Sequence, residues 1–383
     1  MKLFQKLIVA PAALGFLIPS TAFAEEIKLA DISNYSSSKE VKSISEFNTA
    51  EELAVTNSRV DGLEARFNNF EAGAFSETTV LSGTAGFLIG GTSSDENDPA
   101  DTEQDKFLTE YFYEIDLNTS FTGEDNLNVE IETGNATGTG VGGSGGLDWG
   151  AGNADVLKVT DLNYSFPLGA WSVAVGDSMD ASKTWPNACS MSNMLDALAD
   201  CGAGNSVDLS GDISFSASTE FADGWELGLG VSANDGESTG MFTAESADYY
   251  GIAVGYETEN YGFTVAFSDK DTTSHIGLTG FYSPDEIPVT FSGGYETTEQ
   301  DTGSDKSQWA FGISTEAGDG TLSANIGTNG SILEDAEEIY AYDVSYEYPL
   351  NDSMSITPFV YISELAGTTS DVTGFGASVS FSF

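Results

Sequence analysis

Basic residues are scarce in this chain: 12 Lys and Arg stand against 61 Asp and Glu among 383 residues, for a formal net charge of −49. So few cations cannot line a groove for phosphates, which excludes nucleic acid as a partner. Histidine occurs once, at His275, and cysteine twice, at Cys189 and Cys201. Beyond the N-terminal segment no stretch approaches the ~20 consecutive apolar residues that a membrane-crossing helix needs. What is present argues against general disorder: apolar residues make up 40% of the chain, with 24 Phe, 15 Tyr and 43 Gly. The acidity by itself also suits a protein that stays soluble in a salty medium.

The first residues, "MKLFQKLIVAPAALGFLIPSTAFAEE", place Lys2 and Lys6 before an apolar run and end it on "AFA". A positive start, an apolar core and a small-residue site predict a secretory signal peptide over 1–24, cleaved after Ala24. Export takes the two cysteines into an oxidising compartment, where a Cys189–Cys201 disulfide is expected. Residues 25–48 are polar, Ser-rich and aperiodic, and read as a linker. Over 49–72, Thr49 and Glu52 are spaced as a capping box, and Leu53, Val60, Leu63, Phe67 and Phe70 follow a helical or coiled-coil period.

From residue 77 the period becomes two. The stretch "GFGASVSFSF" at the C-terminus puts Phe375, Ala377, Val379, Phe381 and Phe383 on one face and Gly and Ser on the other. The same alternation recurs in "YFYEIDLNTSF", "NLNVEIET", "GWELGLGVSA" and "NYGFTVAFS". In all it predicts 16 strands between 77 and 383. Short turns such as "PLG", "ADG" and "AGDG" alternate with longer polar connections at 92–106, 134–154, 178–206, 234–247, 297–306, 329–337 and 364–372. A sandwich has no reason to alternate short and long connections. A transmembrane antiparallel β-barrel does, with tight turns at one end and long loops at the other. The fold class is therefore all-β, a barrel of about 16 strands with a short N-terminal helical segment.

The junction "RVDGLEARFNNFEAGAFSETTVLSGTAGFLIGG" resembles the helix-to-first-strand boundary of cyanobacterial outer-membrane porins of the carbohydrate-selective or iron-uptake type. Members of that family commonly carry a surface-layer-homology domain before the coil, and residues 25–48 are too few for one. The resemblance implies a homotrimeric outer-membrane porin that passes ions or small hydrophilic solutes and is surrounded by outer-membrane lipid. It implies also that Phe381 and Phe383 are read by the outer-membrane assembly machinery. In general porins the third loop folds inward and narrows the pore; here that loop is 178–206, and a plain outer loop is the competing expectation.

Within the barrel, Glu114, Asp116, Glu130 and Glu132 occupy the polar parity of two adjacent strands. They are expected to line the lumen and favour cations. No cofactor or metal is expected. Gly138, Gly140 and Gly143 have dinucleotide-loop spacing but lie in a Gly-rich connection without a βαβ context. The acidic run 95–105 lacks the spacing of a calcium loop. Two other function classes stay open: a structural envelope protein binding the cell wall through its N-terminal segment, and a barrel hydrolase, which would need a serine and an orienting group beside His275.

Overall fold

The computed structural model describes residues 78–93, 106–135, 146–147, 149, 153–234, 236–243, 247–365 and 371–383. The signal peptide, linker and helix expected over 1–24, 25–48 and 49–72 lie outside the described residues, as do the three glycines and the acidic run. The chain divides into two units, Met1–Ala72 and Gly73–Phe383.

Alternation becomes a ladder of sixteen long strands. They are β1 (Thr79–Ser93), β2 (Lys106–Thr119), β3 (Asn126–Gly134), β4 (Lys158–Leu168), β5 (Trp171–Asp177), β6 (Ile213–Ala222), β7 (Trp225–Asn234) and β8 (Ala247–Glu257). The second half comprises β9 (Tyr261–Lys270), β10 (Thr273–Tyr282), β11 (Val289–Gln300), β12 (Lys306–Ala317), β13 (Gly320–Thr328), β14 (Tyr340–Asn351), β15 (Met354–Glu364) and β16 (Asp371–Ser382). A two-residue strand, Ile332–Leu333, adds to the edge of β12. Each long strand pairs antiparallel with its sequence neighbour, and β1 pairs with both β2 and β16. The sheet therefore closes on itself and leaves no edge, the condition for a sheet to sit in lipid.

The seam holds the C-terminus. The Phe383 N–H donates to the Gly83 carbonyl at 3.1 Å, and the Gly83 N–H donates back to Phe383 at 3.0 Å. The Phe383 ring stacks on Tyr113 of β2 at 6.0 Å, and Phe381 meets Phe87 edge-on at 6.3 Å.

Parity sorts the two faces. Phe87, Leu229, Val265, Ile276, Phe311 and Val344 are exposed and share the outward face. Aromatic clusters stand near both ends of it: Trp225 against Tyr256 and Phe263 by the short turns, Trp309 against Tyr340 by the long loops. An apolar band between aromatic girdles is the outer surface of a membrane barrel. The opposite face is small or polar: Ser214, Ser216, Ser218, Thr264, Thr279 and Ser323 are buried there.

Candidate functional site

The connection between β5 and β6 runs from 178 to 212 and lies against this inner face over much of the circumference. Its hydrogen bonds fall on successive strands. The Thr184 N–H donates to the Ser216 hydroxyl on β6 and the Ala188 N–H to Thr264 on β9. Ser190 N–H reaches Ser292 on β11, and the Met194 and Leu195 N–H groups reach Asp343 on β14. One loop that meets so many strands on the same parity must lie inside the barrel.

Inner-face glycines make room for it. Trp185 lies on β7 and β8, where a Cβ on Gly228 would come within 2.7 Å of the indole and one on Gly251 within 2.5 Å. The loop brings its own apolar side chains into two small cores. One joins Ala181, Trp185, Val207 and Leu209 to Ala253 and Ala266, and the other joins Met194, Leu195 and Leu198 to Leu88, Phe359 and Tyr361. Cys189 and Cys201 are bonded across the loop, twelve positions apart in sequence, and the Asn187 amide donates to Asp200 beside them at 2.8 Å.

The loop's bonds centre on β10, and in a closed ring of sixteen strands β2 stands diametrically across from it. Glu114 and Asp116 project from β2, directly opposite Glu132 and Glu130 of β3. Register continues their face through Thr84 and Ser82 of β1 to the side that carries buried Leu88, so all four carboxylates point inward. The carboxylates of Glu114, Glu130 and Glu132 offer oxygens within 4.8 Å of one another. Three neighbours temper this repulsion, the first being Lys158 of β4, directly opposite Glu132. At a bulge the register of β4 slips by one, and the Thr160 hydroxyl donates to Glu130 at 2.8 Å. The Asn128 amide donates to Asp116 at 2.9 Å.

A ladder of carboxamides extends the stripe toward the short turns: Asn128 also donates to Asn118, and Asn163 donates to Asn128 at 3.3 Å. The stripe ends at Asp125 in the β2–β3 turn. Its Oδ1 accepts from Ser120, Phe121 and Thr122, and its Oδ2 accepts from the Tyr164 hydroxyl at 2.7 Å. The Tyr164 hydroxyl, then the Thr122 N–H, hold the Asp125 carboxyl well below the usual carboxylate range.

Sequence reasoning did not single out a second charged group where the loop leaves β5. Lys183 pairs with Asp161 of β4 at 3.0 Å, the Ser182 hydroxyl donates to Asp208, and Lys270 of β9 donates to the Asp208 carbonyl. Asp180 stands among them, its side chain partly exposed. Desolvation in this crowded space, and then the charges of Asp208 and Asp161, push its carboxyl up to about 6. The five basic residues of 78–383 are Lys106, Lys158, Lys183, Lys270 and Lys306, and arginine is absent from that range. Of these, Lys183 and Lys270 are engaged as described, and Lys158 lies opposite Glu132.

His275 is buried on the inner face of β10, bonded to the hydroxyls of Thr298 at 2.8 Å and Thr273 at 3.1 Å, with Glu296 3.8 Å away. Its described hydrogen bonds thus go to threonines, not to a serine nucleophile.

Comparison with known proteins bears first on this architecture. No family model matches the chain. An uncharacterized protein of Nostoc sp. is 34% identical over 139 residues, covering 33% of this chain and 24% of that protein; the chain spans about a quarter of the length of this relative. Among solved structures, the anion-selective porin from Comamonas acidovorans superposes with a TM-score of 0.56 at 14% identity, over 80% of this chain and 99% of the other. Pseudomonas putida OprB gives 0.60 at 8% identity over 80% and 94%, and a Rhodopseudomonas blastica porin triple mutant gives 0.53 at 13% over 80% and 100%. At such identities the likeness concerns the fold. The chain is a closed sixteen-strand antiparallel barrel of the kind bacterial porins use.

Proposed function

We propose that the protein is an outer-membrane channel for passive diffusion of ions and small hydrophilic solutes, and that it prefers cations. The observation that carries this reading is a closed barrel with a polar interior, in which an inward loop faces a stripe of four carboxylates. Sixteen strands suffice for an aqueous channel. A low-dielectric wall around one sign of charge focuses the potential and concentrates counter-ions. Residues 78–383 carry no arginine and only five lysines to oppose that field. A narrowed passage with carboxylates on one wall suits selection by charge and size.

The remaining features fit the same reading. The N-terminal segment would be a signal peptide over 1–24, followed by a linker and a helix leading into the barrel, whose short turns would face the periplasm. A homotrimer of the cyanobacterial porin type, inserted by the assembly machinery through Phe381 and Phe383, is the arrangement that we favour. Glu114, Asp116, Glu130 and Glu132 would form the selective wall.

The test is single-channel recording of the purified protein in a planar bilayer, with the reversal potential measured across a salt gradient. Steady conductance with a cation-selective potential at 0.1 M salt is expected. An anion-selective potential would overturn the cation preference, and the lack of any steady pore would overturn the channel and favour a wall-binding envelope protein.

A further inference from the structure

The inward loop is held at two points by carboxylates that are themselves closed off from the lumen. Asp343 of β14 is 2% exposed and Glu296 of β11 is 0% exposed. At the far end of the loop, Asp343 Oδ2 accepts the consecutive N–H groups of Met194 and Leu195 at 2.9 and 3.2 Å, while its Oδ1 accepts from Asn325 at 2.7 Å. On the returning arm, Glu296 Oε2 accepts the Ser206 N–H at 2.6 Å. Its Oε1 accepts from Asn205 at 2.8 Å and from Gln308 at 3.1 Å.

These anchors differ in kind from Ser216, Thr264 and Ser292, each of which takes a loop N–H on a neutral hydroxyl. A carboxylate makes stronger, charge-assisted bonds and here accepts three donors at once. Removing it would leave two or three buried donors without partners, which is costlier than the loss of a neutral bond. Each side chain also takes one bond from the adjacent strand, from Asn325 or Gln308, but the strands themselves are joined without it. The registers Asn325–Asp343–Tyr361 and Gly277–Glu296–Gln308 are ladders of backbone pairs.

We propose that Asp343 and Glu296 are positioning residues for the channel: they fix the inward loop against the β10–β14 wall and so set the aperture between the loop and the carboxylate stripe. Ions need not touch either group. The inference rests on the channel reading above, because it assigns these residues a role in permeation. Two sets of inner acids are thereby told apart: half-buried carboxylates on β2 and β3 that act on ions, and fully buried ones on β11 and β14 that act on the loop.

The experiment compares wild type, Asp343→Ala, Glu296→Ala, the double alanine variant, and the conservative Asp343→Asn and Glu296→Gln. Each is recorded as single channels and checked for an intact barrel by its compact mobility on an unheated gel. Compact barrels are expected throughout, with spontaneous closures about tenfold more frequent in each alanine variant, in line with the loss of charge-assisted bonds, and a drift in selectivity. The amide variants, which keep one acceptor oxygen, should fall between. Steady currents with wild-type selectivity from the double alanine variant would overturn the proposal. Should the alanine variants fail to assemble, hydrogen exchange on wild type decides. The Met194, Leu195 and Ser206 amides should be among the slowest of the loop, and exchange as fast as that of its exposed amides would equally overturn it. A wild type that conducts nothing would remove the channel reading instead, leaving amide exchange to judge the anchors.

Discussion

Glu114 and Glu132 face each other directly across β2 and β3, and with Glu130 they bring carboxylate oxygens within 4.8 Å. Like charges directly opposite on a sheet are destabilising. Lys158, the Thr160 hydroxyl and the Asn128 amide relieve Glu132, Glu130 and Asp116 only in part. A lumen wall that keeps this repulsion has an evident use for it if cations pass beside it.

Replacing Glu130 and Glu132 with Gln should therefore lower cation preference without closing the pore. The effect should be largest at 0.1 M salt, where the Debye length is ~10 Å, and small at 1 M, where it is ~3 Å. Reversal potentials of variant and wild type at both salt concentrations check this. Unchanged selectivity would move the filter to the loop.

Asp180 is expected to give the channel a pH dependence. Its folded-state pKa, about 6, lies above the ordinary carboxylate value. The carboxyl therefore becomes charged in the lumen as pH rises through about 6, and cation preference should increase there. Stability linked to this group is full below the unfolded-state value and is lost as pH rises through the folded one. Asp180→Asn should flatten the selectivity step and raise the melting temperature slightly above pH 6. A step that persists in the variant would assign it to another group.

Asp125 has the opposite sign. Its pKa is depressed in the folded state by Tyr164 and Thr122, so its contribution is full above the unfolded-state value of about 4 and fades as pH falls below that. Asp125→Asn should melt earlier than wild type at pH 7. The gap should shrink in acid below pH 4, as thermal melts of both proteins in detergent would register.

The Cys189–Cys201 bond closes a short loop already held by hydrogen bonds on both sides. In the chain-entropy model such a closure contributes about 3 kcal/mol. Reduction, or the double serine variant, should leave the barrel's β signal in circular dichroism intact while increasing current noise. Recovery of two free thiols from untreated protein by peptide mapping would count against the bond itself.

Phe383 joins β1 through a reciprocal pair of backbone hydrogen bonds and stacks on Tyr113. Deleting it should reduce the yield of assembled barrel several-fold, and the melting temperature of what does assemble should fall as well. Quantifying outer-membrane protein alongside thermal melts separates the two effects. Equal yields for truncated and full-length chains would exclude an assembly role.

Local periodicity in the sequence determined the number of strands, their inner and outer faces and the two classes of connection. Side chains alternate along a strand whatever its partners, and the interior of a barrel must differ chemically from its lipid face. Thus Glu114, Asp116, Glu130 and Glu132 could be assigned a face before any pairing was known. Boundaries moved where backbone context intervened: β4 begins at Lys158, after Ala154 and Asp155 adopt positive φ, and β6 begins at Ile213 because 207–212 belong to the inward loop. Only the tertiary structure decided that the loop turns inward and what holds it there. The Met194 N–H and Asp343 are 149 residues apart, and Ser206 and Glu296 are 90 apart. Periodicity could mark Asp343 as an inward acid in "YAYDVSYEY", but not that a loop amide would meet it. Contacts of that range depend on the closure of all sixteen strands, and no local pattern encodes them.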